Sequence, residues 1–220
     1  MYLPASFEET RTEVLHELLR RHPLGLLVTH GPGGLEANAL PFLLDPARGP
    51  HGTLRAHVAR ANPVWREAAE SEAMVVFQGP QAYVSPGWYA TKAATGKVVP
   101  TWNYVMVQAR GRLQVKDDAA WVRRLVGELT TRHEAAMASP WKVEDAPPEF
   151  IDTLLGSIVG IEIELASLTG KWKVSQNRPA ADREGVIQGL SSLAAGGPAG
   201  DAAAMARQVR QPGAAEAGSD

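Results

Sequence analysis

The 220-residue chain contains no cysteine. That excludes disulfides, thiolate nucleophiles, cysteine-ligated zinc, iron–sulfur clusters and any flavin or haem tethered through sulfur. Charge of one dominant sign is also missing. The 22 Lys and Arg stand against 24 Asp and Glu, a formal net charge of −2, so no global field draws the chain to nucleic acid or to an anionic membrane. No apolar run reaches the roughly 20 residues that a bilayer requires. The opening MYLPASFEETR lacks the basic-then-apolar order of a signal peptide. These absences predict a cytoplasmic protein without a membrane partner. A Gly-x-Gly-x-x-Gly turn following a strand is absent too, which argues against a Rossmann-bound nicotinamide.

What is present is an ordinary apolar content of 45%, enough for one good core. The stretch Val75 to Val115 organises the chain. Two apolar, strand-like runs bracket a middle that holds Pro80, Pro86, Gly87, Gly96 and Pro100 together with Tyr83, Trp88, Tyr89, Trp102 and Tyr104. Aromatic rings on a stiffened loop make a flat pocket wall suited to a planar, partly polar ligand. The plainer alternative is that the same rings cap the core of a β-domain.

Ser6 and Glu9 form a Ser-x-x-Glu capping box, which predicts a helix over about 7–21, stopped by Pro23. Strands follow at 24–29, 35–44 and 53–58, with Pro41 marking an edge or a bulge. This meander is the usual start of an antiparallel barrel. Asn62 and Pro63 open a short helix. The joint His57–Arg60 brings backbone N–H groups, a helix dipole and Arg60 to one spot, either a phosphate site or a solvated corner. Further strands are expected at 73–79 and 104–115, with an extended piece at 82–85. A helix over 118–137 and a short one over 148–155 precede a strand at 158–165 and a turn at Thr169 and Gly170. In the extended stretch 171–178, Lys171, Lys173 and Ser175 share one face and Trp172 and Val174 the other. That face reads as an anion-binding strip or as an edge strand kept soluble by lysines. After a last helix over 179–193, Gly, Ala and Pro dominate. The division expected is one domain over 1–195 and a disordered tail over 196–220, in which MARQVR forms at most a transient turn.

Several ordered stretches carry a resemblance: MYLP with Phe7, HVARANPVW, FQGPQAYVSPGWY, VVPTWNY, HE followed by WKVEDAP, IVGIEIEL and KWKVSQNR. Over roughly residues 1–193 the chain resembles the PaiB-type family of FMN-binding negative transcriptional regulators. The resemblance implies a mainly β fold with peripheral helices (α+β), an antiparallel split β-barrel of the pyridoxamine-phosphate-oxidase type. It also implies a homodimer with FMN at the subunit interface. Arg60, ahead of Asn62 and beside His57, takes the place of the residue that holds the FMN phosphate in those oxidases. Thr101 and Asn103 would bond the ring edge or ribityl chain, and Trp102 would stack on the ring. Lys173, Ser175, Gln176, Asn177 and Arg178 would supply donors to the flavin or to a second anion. Where the family pattern often has a His two residues before the Pro of the second strand, this chain has Ala39, with Asn38 beside it.

The function implied is an FMN-binding repressor acting on DNA directly or through another protein, for no helix-turn-helix is recognisable. The alternatives are a flavin-dependent reductase or oxidase, with His57 and Lys92 as possible proton donors, and a haem protein ligated by one of six histidines. No metal site is expected.

Overall fold

The computed structural model describes residues 1–196 and 200–213. Its strands are β1 (Glu8–Glu9), β2 (Leu24–Gly31), β3 (Gly34–Pro41), β4 (Leu43–Asp45), β5 (Thr53–Ala59), β6 (Glu72–Val84), β7 (Thr101–Lys116) and β8 (Ile158–Lys173). They are hydrogen-bonded in the order β3-β2-β6-β7-β8-β5-β4, with β1 on β8. Pairing is antiparallel between β2 and β3, β2 and β6, β4 and β5, β5 and β8, and β1 and β8. The helices are α1 (Thr12–Arg21), α2 (Val64–Glu67), α3 (Thr91–Thr95), α4 (Ala119–Glu134), α5 (Pro148–Gly156), α6 (Ala180–Ala195) and α7 (Ala202–Arg210). The class is mainly β, with antiparallel strands and peripheral helices.

Two compact units divide the chain, and β6, β7 and β8 each contribute residues to both. One unit comprises Pro23–Val76 and Ala109–Leu168. Its core is built by strand alternation: Leu27, Leu54, Val75, Leu113, Ile161 and Ile163 are fully buried. Gly111 is required where β7 meets β8, since a Cβ there would lie 2.1 Å from the Glu164 carbonyl oxygen. The buried Glu162 carboxylate is met by Arg48 on both oxygens at 2.5 Å and by Lys116 at 3.3 Å. Asn62 behaves as its sequence context predicts. Its Oδ1 accepts the Val64 N–H that opens α2, and its Nδ2 donates to Asn38 Oδ1.

The other unit comprises Met1–His22, Phe77–Gln108 and the described residues from Thr169 onward. Here the capping box does not form. Glu9 instead lies in β1, opposite Gly170, and its carboxylate accepts from the Arg11 backbone and guanidinium. The helix consequently begins at Thr12. The turn expected at Thr169 and Gly170 is absent, because β1 pairs there and keeps β8 extended. Gly170 permits the approach, as a Cβ would stand 2.3 Å from Leu15. The strands expected at 73–79 and 82–85 are one strand, β6. Thr101–Tyr104 belongs to β7 rather than to a loop.

The tail reading also needs correction. Residues 202–210 form α7, which buries Ala202, Met205, Ala206 and Val209. Their spacing of i, i+3, i+4 and i+7 is a helical apolar stripe. Gln208 Oε1 accepts from the Trp172 indole at 3.1 Å and from the Gly213 N–H at 3.0 Å. The rest of the expected tail, 197–199 and 214–220, lies outside the described residues. Met205→Ala is expected to destabilise the protein by about 3 kcal/mol, as for other buried Met truncations. Urea denaturation measures this; an unchanged midpoint would put α7 in solvent.

Candidate functional site

Eight of the eleven expected site residues fall in the unit that holds α7 and three in the other.

In the first group, β7 and β8 bring Thr101 and Lys173 together. Lys173 Nζ donates to Thr101 Oγ1 at 2.5 Å and to the Trp102 carbonyl. It also stands 5.9 Å from the centre of the Tyr104 ring. Lys171, two residues back on the same strand face, lies 5.3 Å from that ring and donates to the Tyr2 carbonyl at 3.0 Å. Asn103 is buried and donates to Ser175 Oγ at 2.9 Å. Ser175 has φ +63°, a left-handed conformation uncommon outside glycine. Arg178 lies over the Tyr89 ring at 4.7 Å. Gln176 turns back on its own strand, accepting from Val174 N–H and donating to the Trp172 carbonyl. Asn177 is exposed.

Among the described residues none of Lys171, Lys173 and Arg178 is paired with a carboxylate. Burial, and then the charges of Lys171 and Arg178, push the Lys173 ammonium below the usual lysine range. The strip is therefore a set of cations held by neutral oxygens and aromatic faces.

In the second group, Arg60 is committed elsewhere. Its Nε donates to the Gly156 carbonyl, its two terminal nitrogens grip Asp117 at 3.0 and 2.6 Å, and one also reaches the Ile158 carbonyl. Four of the five guanidinium N–H groups are used. His57, on β5 opposite Gly160, buries an Nδ1 that finds no partner among the described residues. Burial lowers its pKa below 6.5.

The pocket wall expected from the aromatic stretch is one side of a cavity of about 520 Å³ in the unit that holds α7, and the C-terminal residues that close it were not foreseen. Tyr83, Trp88 and Trp102 line it with Gln81, Leu190 and Asp201. The Trp102 indole donates to Gln81 Oε1 at 2.6 Å, and its ring meets Tyr83 edge-on, with centres 6.0 Å apart. Asp201 was hidden by the low-complexity composition around it, although an Asp followed by the α7 stripe is a helix-start signal.

The antiparallel sheet with peripheral helices is the split-barrel fold. Two solved structures share this fold. They are the flavocytochrome Anf3 from Azotobacter vinelandii (TM-score 0.55, 11% identity, covering 76% of this chain and 69% of that one) and an FAD- and haem-binding protein from Mycobacterium smegmatis (TM-score 0.53, 17% identity, 76% and 73%). Residues 1–167 match the family described as "Putative FMN-binding domain", and the chain belongs to that family. An uncharacterized protein of Aspergillus fumigatus is 36% identical, covering 88% of this chain and 92% of its own. The protease synthase and sporulation protein PAI 2 of Bacillus subtilis is 32% identical, covering 87% and 90%. No described helix is long and apolar enough to cross a membrane.

The lowered His57 pKa fixes a sign. Between the folded pKa and 6.5 the unfolded chain binds a proton at this imidazole that the native chain does not. Its contribution to stability is therefore complete above pH 6.5 and is lost as pH falls through that window. His57→Gln is expected to lose less stability between pH 7.5 and 5.5 than the parent, as measured by urea midpoints at the two pH values.

Proposed function

We propose that the protein is an FMN-binding flavoprotein that acts, as a homodimer, to repress transcription. The observation that carries the flavin reading is the Lys171–Lys173 strip, positively charged, beside aromatic rings and without a carboxylate partner. Membership of the FMN-binding family supports it. The residues fit a phosphorylated aromatic group. Lys173 has one N–H left after its two bonds and Lys171 has two. Tyr104 offers a ring next to both ammonium groups, and Tyr2 offers one next to Lys171. Arg60 fits less well, with one free N–H and the Asp117 charge against it. Lys171 and Lys173 would thus hold the phosphate, with Ser175 and Asn103 as polar neighbours. Bound FMN would supply redox chemistry, and the protein its position and electrostatics.

The homodimer reading rests on a bare sheet face. Leu24, Leu26 and Val28 of β2 sit opposite Pro41, Ala39 and Ala37 of β3, and Val76 and Met74 of β6 continue the face. Leu24 is 65% exposed and Leu26 42%, with Leu35 at the end of the same face. An apolar surface of this kind on an edge hairpin needs a cover, and a second copy supplies one of matching chemistry. Ala39, where the resembling family often has a His, keeps the face apolar. For repression, the net charge of −2 favours action through another protein over direct contact with DNA. Similarity to a relative named for protease synthesis and sporulation supports a place in the control of gene expression.

Lys171→Ala and Lys173→Ala are each expected to weaken FMN affinity by about tenfold or more, since a charge-assisted hydrogen bond contributes about 1.5–3 kcal/mol. Arg60→Ala should change it by less than about threefold, within a surface-pair effect. Quenching of FMN fluorescence reads all three; the reverse ranking would move the phosphate to the β5–α2 joint. Leu26→Glu is expected to halve the native mass by leaving a charge in the dimer contact, and an unchanged mass would remove this face from the interface.

A further inference from the structure

The cavity lined by Tyr83, Trp88 and Trp102 contains none of the groups proposed to hold the flavin phosphate, and its chemistry is opposite to that of the lysine strip. Among its described lining residues there is one charge, Asp201, and no Lys or Arg. We propose that this cavity is a binding site for an organic cation, specifically a quaternary ammonium group.

The rings supply the main surface. Tyr83 and Trp102 meet at an interplanar angle of 64°, so they form two walls of a corner. Trp88 adds a third ring. A face of aromatic π density attracts a cation, most strongly one whose charge is spread over methyl groups and whose hydration is weak. Nearly half of Tyr83 and of Trp102 is exposed, so the surface is available without unfolding.

The walls are fixed in place. Trp88 is seated on a glycine face of α6, where a Cβ at Gly189 would lie 2.3 Å from its ring and one at Gly185 would lie 1.9 Å from its carbonyl oxygen. Trp102 is anchored by its indole bond to Gln81. Asp201 accepts from the Gln81 N–H at 3.1 Å and caps the start of α7 through its carbonyl to Met205. The carboxylate is thereby held at the cavity by the C-terminal segment, beyond residue 167 where the family match ends. A volume near 520 Å³ admits a ligand of choline size or somewhat larger.

The test uses choline and its neutral isostere 3,3-dimethylbutan-1-ol, titrated into the full chain and followed by calorimetry and by the indole N–H resonances of Trp88 and Trp102. Choline is expected to bind at least about tenfold more tightly than the isostere, the margin of a desolvated cation–π contact, and to shift both resonances. Asp201→Asn keeps an acceptor for Gln81 and is expected to weaken choline about tenfold. Tyr83→Leu keeps the volume apolar and should erase the preference over the isostere. Equal affinity for the two compounds, no binding of choline, or shifts confined to other indoles would each overturn the proposal. FMN affinity measured on the same Asp201→Asn sample should be unchanged, so failure of the flavin reading and failure of this one are separable.

Discussion

The ammonium group of Lys173 is held by a threonine hydroxyl and a backbone carbonyl, neither of which carries a charge. That is the constraint on which the site depends. A buried cation matched by a carboxylate is electrostatically closed, and a further anion gains little there. A cation matched only by dipoles stays positive to its surroundings, and Lys171 and Arg178 add like charge. Burial first, and then that like charge, press the Lys173 pKa downward, so holding this ammonium charged costs free energy. An anion that removes the cost binds with correspondingly greater affinity. Arg60 illustrates the contrary case: its guanidinium is already neutralised by Asp117.

Trp102 shows how a strand divides these functions. Its carbonyl is part of the cradle for Lys173, while its ring, pointing from the same backbone, lines the cavity with Tyr83 and Gln81. On the two proposals, the main chain of β7 would serve a site for negative charge and the side chain a site for positive charge. A residue replaced for its ring therefore leaves the cradle intact, because the carbonyl belongs to every residue type. Alternation along β7 fixes this separation, and the burial of Asn103, Val105 and Val107 on the opposite face holds the register.

Much of the fold was legible because strand alternation and helix periodicity are local. The β2–β3 hairpin, the helix beginning beyond Asn62 and the helices over 119–134 and 180–195 follow from it, whereas the one strand expected over 35–44 is two, β3 on β2 and β4 on β5. Failures came where a distant segment outweighed a local preference. Glu9 has a good local role as a capping partner, yet β1 pairs with β8 and Arg11 takes the carboxylate. Thr169 and Gly170 look like a turn, but the glycine serves close packing against Leu15. In the tail, composition was weighed over periodicity, although the stripe from Ala202 to Val209 was present. For the candidate site, Lys173 could be selected from its strand face, whereas Asn103 came from the family resemblance and only the structure puts it on a strand. The engagement of Arg60 could not, since Asp117 lies 57 residues away in sequence.

The limits of the family match sharpen this division. Residues 1–167 carry the shared domain, whereas Lys171, Lys173, Ser175, Arg178 and Asp201 all follow it. A strand that begins inside the match at Ile158 ends outside it at Lys173, so the cationic strip is an extension of a shared element. Pairing with β1 keeps that extension straight, and Gln208 of α7 holds Trp172 on its other face. The C-terminal helices therefore stabilise the backbone that presents the lysines as well as supplying a wall of the cavity. A relative with the shared domain but a different C-terminal segment would keep the sheet and lose the means of orienting this strip. If the phosphate is held by this strip, the domain match accounts for the fold that carries the flavin and the residues after 167 for part of its contacts.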